Sequence, residues 1–156
     1  MIDSHWLSHA IAIATKNVTS GMGGPFGTVI TRDGQLLAEG VNLVTTNCDP
    51  TAHAEINAIR NAAAALKTHD LSGCDIYSSC EPCPMCLGAI LWARLDCVYY
   101  AATQQQAAAA GFDDSLFYRQ LALPPDQRII PFTHALPESA NEPFLAWQRF
   151  SAKVLY

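Results

Sequence analysis

Apolar residues recur at helical spacing in four stretches of the chain. The first, residues 6–14, predicts a helix that ends near Ser20, before a glycine-rich turn. The Ala-rich stretch 52–66 and the stretch 84–94 predict two further helices. A last helix is predicted from about Glu142, and its apolar stripe must pack on another surface.

Four short runs of apolar and β-branched residues predict strands. Residues 28–31 and 36–41 flank the turn at 32–35, whose Asp-Gly pair is typical of a tight hairpin. Residues 75–79 and 97–101 each follow a predicted helix. The order αββαβαβ predicts an α/β fold, in which a mixed sheet lies between layers of helices.

Length and charge narrow the classes of function. The chain has 156 residues, of which 50% are hydrophobic and 15% charged, and this predicts one domain over residues 1–156. Its net charge of -5 disfavours nucleic acid as a partner. The longest apolar runs fall short of the roughly 20 residues that span a bilayer, and no signal sequence is evident. We therefore expect a cytoplasmic protein without a membrane partner.

Three of the six cysteines are clustered, at 80, 83 and 86. Cys83 and Cys86 are three residues apart, so on a helix both sulfurs face the same side and can share a metal ion, with His53 as a third ligand. Three protein ligands leave one position on zinc open, as is typical of catalytic sites, where a bound water is activated.

Glu55 lies two residues after His53 and is predicted to act as the general acid and base rather than as a ligand. The pattern H-x-E followed by P-C-x-x-C is the known signature of zinc-dependent nucleobase deaminases. It occurs here as His53-Ala54-Glu55 and Pro82-Cys83-Pro84-Met85-Cys86.

Other interpretations of the cysteines stay open. A thioredoxin-like dithiol at Cys83 and Cys86 would leave the His-Ala-Glu motif without a role. An iron–sulfur site would need a cysteine where Ile90 stands. A structural zinc site would need a fourth ligand, which Cys80 or Cys97 would have to supply.

Beyond these motifs, the chain resembles the short bacterial guanine deaminases of the cytidine deaminase-like superfamily over nearly its whole length. The segments that carry the resemblance are Gly24-Pro25-Phe26-Gly27, Asn42, residues 49–55, residues 79–86, Gly111-Phe112-Asp113-Asp114 and Tyr156. The resemblance implies a three-layer αβα sandwich with a mixed five-stranded sheet and one zinc per subunit on His53, Cys83 and Cys86. It also implies conversion of guanine to xanthine and ammonia.

Asp114 is the candidate for substrate selection. Guanine presents a ring N–H and an amino group side by side, and a carboxylate accepts hydrogen bonds from both, whereas adenine offers a bare nitrogen at that ring position. The carboxylate would also lie beside the carbon that loses ammonia. The structural alternative for Asp114 is a helix N-cap, a role that Asp113 or Ser115 would fill equally well.

Further substrate contacts follow from the resemblance. Asn42 offers a donor and an acceptor for another edge of the purine, although turn-forming asparagines are common. The resemblance implies that Phe26 and Tyr156 cover the flat faces of the base. Trp92 and Phe112 are weaker candidates for such walls, and any of these aromatic residues can equally belong to the core.

The related guanine enzymes imply an exchanged C-terminal segment, residues 124–156, that places Tyr156 over the partner's pocket in a homodimer. A last helix folded back on its own chain stays open as an alternative.

Two other classes of function also stay open. One is a deaminase with a different substrate, either adenosine in tRNA or another small amino-heterocycle. The other is a non-catalytic zinc-stabilised module. The C-terminus lacks the basic stripe that tRNA binding favours.

Overall fold

A computed structural model describes residues 4–156. Its strands are β1 (Gly27–Arg32), β2 (Gln35–Val41), β3 (Cys74–Cys80) and β4 (Cys97–Ala102). Its helices are α1 (Ser4–Thr19), α2 (Val44–Asn47), α3 (Ala54–Leu66), α4 (Pro84–Ala93), α5 (Gln104–Ala109), α6 (Ser115–Ala122) and α7 (Glu142–Arg149), with 3₁₀ turns at Pro125–Gln127 and Glu138–Asn141. The helices and strands predicted from the sequence are all present.

The strands form one mixed sheet in the order β2-β1-β3-β4. Strand β1 is antiparallel to both β2 and β3, and β4 is parallel to β3. Asp33 and Gly34 both have positive φ, 50° and 71°, so the predicted Asp-Gly hairpin turn is confirmed. Strand β1 runs opposite to β2 and β3, so its first residue lies beside their last residues. The last residue of β4 lies there too, because β4 is parallel to β3. These four strand ends form one edge of the sheet.

The expected five-stranded sheet is wrong for residues 4–156, where the sheet has four strands. After β4 the Thr103 hydroxyl accepts a hydrogen bond from the backbone N–H of Gln106, and the Gln106 side chain accepts one from the N–H of Thr103. This capping box begins a helix at Gln104 and ends the extended chain.

The sheet has a helical layer on each face, as predicted. Side chains alternate along a strand, so Ile30 and Ile76 lie in one cluster with α3 and α4, whereas Val29 and Tyr77 lie in another with α1. The three-layer αβα arrangement is therefore confirmed.

A glycine in β2 brings α3 close to the sheet. A Cβ atom on Gly40 would lie 2.2 Å from the carbonyl oxygen of Ala54 and 2.4 Å from the nitrogen of Ala58. Only a residue without a side chain permits this approach. It sets the position of the first turn of α3, which carries Glu55.

The chain divides into two compact units, of which the first ends at Asp114 and the second is Ser115–Tyr156. The second unit contains α6, both 3₁₀ turns and α7, and the Arg128 guanidinium lies 4.7 Å from the centre of the Phe132 ring. The helix predicted from about Glu142 is confirmed as α7. No helix within residues 4–156 is long and apolar enough to cross a membrane.

Candidate active site

Two helix N-termini bring the predicted metal ligands together. His53 is the N-cap of α3 and Cys83 is the N-cap of α4. Each has an extended backbone, and neither side chain forms a capping hydrogen bond with its own helix. Pro84 occupies the first turn of α4, where a missing N–H costs no hydrogen bond. Cys86 follows in that turn and is fully buried.

The three ligand atoms form one cluster. His53 Nδ1 lies 3.6 Å from Cys83 Sγ and 3.5 Å from Cys86 Sγ, and all three atoms lie within 4.8 Å of one another. One imidazole nitrogen and two thiolates are a donor set that zinc accepts, with a fourth position left open. The described residues place neither Cys80 nor Cys97 in this cluster, which argues against a structural four-ligand site.

The electrostatics of the cluster favour a thiolate. Hydrogen bonding from Cys86, and then from His53, lowers the pKa of Cys83 to about 4 against the effect of burial. The hydrogen bond with Cys83 raises the pKa of His53. Because the thiolate is the form that binds metal, the lowered pKa favours the ligating state of Cys83.

Glu55 lies beside the ligands without being one of them. It is 6% exposed, its Oε2 accepts a hydrogen bond from Cys86 Sγ at 3.4 Å, and its Oε1 accepts one from Ser78 Oγ at 3.4 Å. Burial is the main cause that raises its pKa. A buried carboxyl group held on both oxygens next to the metal ligands is suited to carry a proton to and from a bound substrate.

Asn42 follows β2 and is 7% exposed. Its Oδ1 accepts hydrogen bonds from the backbone N–H groups of Gly24 and Val44, at 3.4 and 3.3 Å. Its backbone carbonyl accepts one from Asn17 Nδ2 at 2.8 Å. The side-chain oxygen is therefore used by the protein, and the NH₂ group is the part of Asn42 that can donate to a ligand.

The structure brings two of the predicted aromatic walls together. The rings of Phe26 and Phe112 meet edge to face, with centroids 4.9 Å apart, and the Phe26 carbonyl accepts from the N–H of Asn42 at 3.1 Å. Trp92 lies in the last turn of α4, remote from Cys83 along that helix, and is 66% exposed. Tyr156 belongs to the second unit and is 70% exposed.

Asp114 is held by a residue that sequence reasoning missed. Gln104 Nε2 donates to Asp114 Oδ1 at 2.7 Å, and the backbone N–H of Gln104 donates to Glu81 Oε2 at 3.0 Å. The only sequence signal for this role is the run of three glutamines, residues 104–106, directly after β4.

Burial and nearby acidic residues affect the Cys80 thiol at the end of β3. Burial, and then the charges of Glu55, Glu81 and Asp114, raise the pKa of Cys80 to about 11. The charges of Glu55 and Asp114 both act in the direction that keeps the Cys80 thiol protonated. Together with Phe26, Asn42 and Cys83, these two residues lie around one edge of the sheet, where α/β proteins bind their ligands.

Comparison with known proteins agrees with this geometry. The family described as the cytidine and deoxycytidylate deaminase zinc-binding region matches residues 1–102, which include all three ligands. Guanine deaminase of Bacillus subtilis is 50% identical over 97% of both chains. Its crystal structure has a TM-score of 0.97, at 49% identity, and the match covers 100% of this chain and 99% of the other.

Two further relatives are deaminases that differ from each other in their substrate. A solved structure of guanine deaminase from Nitrosomonas europaea is 34% identical, with a TM-score of 0.67, over 70% of this chain and 63% of the other. The tRNA-specific adenosine deaminase of Haemophilus influenzae is 36% identical over 72% of this chain and 68% of its own.

Proposed function

This chain belongs to the cytidine and deoxycytidylate deaminase family with its zinc-binding region, and we propose that it hydrolyses free guanine to xanthine and ammonia in the cytoplasm. The observation that carries the proposal is the 50% identity with a guanine deaminase over 97% of both chains. The reaction would serve purine breakdown or salvage.

Zinc is the cofactor of this family, and His53, Cys83 and Cys86 are the residues that would hold it. A bound zinc ion would lower the pKa of a water molecule to near neutrality, so that it becomes a nucleophile. The chain's own contribution is to fix two thiolates and one imidazole on helix ends that the sheet supports.

Glu55 moves the protons of the proposed reaction. The water oxygen forms a bond to carbon 2 of guanine while Glu55 takes a proton from the water and passes it to the adjacent ring nitrogen N3. The bond from carbon 2 to the amino nitrogen then breaks, and that nitrogen leaves as ammonia with the second water proton. The hydrogen bond from Ser78 to Oε1 helps to hold the carboxyl group in place for both transfers.

Asp114 selects guanine in this proposal. Its carboxylate accepts from the ring N1–H and the 2-amino group, and it lies beside the carbon that loses ammonia, so it also assists departure of the leaving group. Adenine, which has a bare nitrogen at N1, would place an acceptor against this carboxylate.

Asn42 and the aromatic residues hold the rest of the base. The Asn42 NH₂ group donates to an acceptor on the far edge of guanine, since its oxygen is engaged by Gly24 and Val44. Phe26 packs on one face of the base and is braced by Phe112. Tyr156 covers the other face.

Tyr156 arrives from a second copy of the chain in this proposal, which makes the protein a domain-swapped homodimer of single 1–156 domains with 124–156 exchanged. Apolar side chains of α7 and its C-cap support the exchange, because Phe144 is 68% exposed, and Trp147 and the C-cap Phe150 are also exposed in the single chain. A partner subunit would cover them.

A substrate panel tests the function. Free guanine, adenine and cytosine, their nucleosides and tRNA are incubated with the purified protein, and ammonia release is measured. We expect ammonia and xanthine from guanine alone. Release from adenosine in tRNA, with none from guanine, would contradict the proposal.

A tRNA adenosine deaminase is the second candidate, favoured by the 36% identity with the Haemophilus influenzae enzyme. Nine Lys and Arg against fourteen Asp and Glu argue against it, because tRNA binding depends on phosphate neutralisation. If it were correct, tRNA binding would be detectable and would weaken steeply with added salt. Stoichiometric zinc without any turnover would instead support the non-catalytic module.

A further inference from the structure

Gln104 connects two parts of the proposed site. It is the first residue of α5, held there by the Thr103 capping box. Its backbone N–H donates to Glu81, two residues before the ligand Cys83, and its side-chain amide donates to Asp114. The carboxylate of Asp114 is thereby tied to the turn that carries the metal ligand.

We propose that Gln104 is a positioning residue that sets the specificity of Asp114 for guanine. This inference rests on the proposed function, because it assumes that Asp114 accepts from the guanine edge. The 2.7 Å bond uses one lone pair of Oδ1 and fixes the plane of the carboxylate, so that Oδ2 and the second lone pair of Oδ1 face the two donors of the base.

The chemical identity of Gln104 suits this role. A neutral amide orients a carboxylate without neutralising it, whereas a Lys or Arg would compete with guanine as an ion-pair partner. A carboxylate at 104 would place an acceptor against Asp114 and repel it. Gln104 is one of the few side chains that hold Asp114 and leave its negative charge for the substrate.

Equilibrium binding separates a positioning role from a structural one. Guanine affinity is measured in a Glu55→Gln background, which prevents turnover, for Gln104→Met, for Asp114→Ala and for both changes together. We expect Gln104→Met to weaken guanine binding about tenfold, as for loss of a hydrogen bond to a charged group. Added to Asp114→Ala, it should weaken binding less than about twofold, because the partner is already gone.

A neighbouring glutamine provides the matched control. Gln105→Met changes an exposed side chain on the same helix and keeps both partners of the capping box as well as the bond to Asp114. It should leave guanine affinity within about twofold. If Gln104→Met fails to fold, Gln104→Asn shortens the side chain by one methylene, so that the amide falls short of Asp114, and the same result is expected.

Each failure has its own signature. Unchanged guanine affinity in a folded Gln104→Met chain, or an equal loss with and without Asp114, overturns the inference while guanine turnover by the native chain still supports the function. Unchanged affinity in Asp114→Ala removes the Asp114 assignment and the inference with it. No guanine turnover by the native chain overturns the proposed function itself.

Discussion

In the proposed function, the side chains around the metal cluster divide into those that would hold the ion and those that would handle the substrate. Cys83 and Cys86 would supply sulfurs from the start of α4, whereas the Glu55 carboxyl group lies beside the same cluster and accepts a hydrogen bond from Ser78. Loss of a sulfur removes a ligand. Loss of the carboxylate leaves the ligands intact, so the two kinds of substitution should have different consequences.

The first prediction separates zinc binding from proton transfer. Cys83→Ala should lose both zinc and activity, because a metal held by three protein ligands depends on each of them. Glu55→Gln should keep zinc and fold but lose guanine turnover by on the order of 10³-fold. Metal analysis of each purified variant, together with its turnover, checks this. Full zinc in Cys83→Ala, or no zinc in folded Glu55→Gln, would reverse the role assignments.

The second prediction concerns recognition of guanine. In Asp114→Asn the amide NH₂ would face one of the two donors of the base, so kcat/KM for guanine should fall about tenfold to a hundredfold. Thermal melting should change little, since Asp114 lies in a loop before α6. Native kinetics in a folded Asp114→Asn protein would remove this residue from the site.

Some of these residues could be predicted from the sequence and others could not. Two short motifs contain His53, Glu55, Cys83 and Cys86, and their residue types together indicate a zinc site with a neighbouring proton-transfer group. Gln104 contacts Asp114, which lies ten residues further along the chain. No pattern in the sequence indicates which of the three consecutive glutamines, residues 104–106, forms this contact.

At the scale of elements, close packing of α3 on β2 determines where the proposed catalytic residue Glu55 lies. The third prediction is that Gly40→Ala destabilises the fold by about 1–3 kcal/mol, because its Cβ would meet the backbone of Ala54 and Ala58. The shift of α3 that follows should also reduce turnover. Urea unfolding of the variant measures the change in the free energy of unfolding.

A second glycine provides the control. Gly88 lies in α4, and a Cβ there would meet nothing within 4 Å. Gly88→Ala should therefore leave stability unchanged or raise it by up to about 1 kcal/mol, through helix propensity. Equal effects of the two substitutions would show that the approach of α3 to β2 is not the constraint.

The elements themselves were largely predictable, because apolar spacing and the Asp-Gly turn act locally. Helix α3 begins at Ala54 rather than at residue 52, since His53 keeps an extended backbone as its N-cap. The prediction of a fifth strand was wrong. It came from the resemblance alone, whereas in the structure the capping box at Thr103 directs the chain into α5 after β4.

At the scale of the whole molecule, the proposed exchange of residues 124–156 makes each site depend on two chains. The fourth prediction uses a mixed dimer of two different chains. One is Glu55→Ala with an intact tail, and the other has native Glu55 but lacks its last helix. With tails acting in trans, the pocket with native Glu55 receives Tyr156 from the mutant chain, and one site per dimer should work.

The same mixed dimer is inactive if each tail serves its own pocket, because neither site is then complete. That result would reject the exchange even if the protein is dimeric. Homodimers of each chain serve as controls, and both should lack activity. Guanine turnover per mixed dimer is the measured quantity.

Zinc dependence of guanine turnover tests the central claim most directly. Xanthine formation from guanine is measured for the protein with its metal, after removal of the metal, and after zinc is restored, with zinc content determined in each sample. We predict that turnover rises in proportion to zinc up to one ion per chain and is lost without it. Guanine turnover that persists without metal, or one zinc per chain with no xanthine formed, would contradict zinc-dependent guanine deamination.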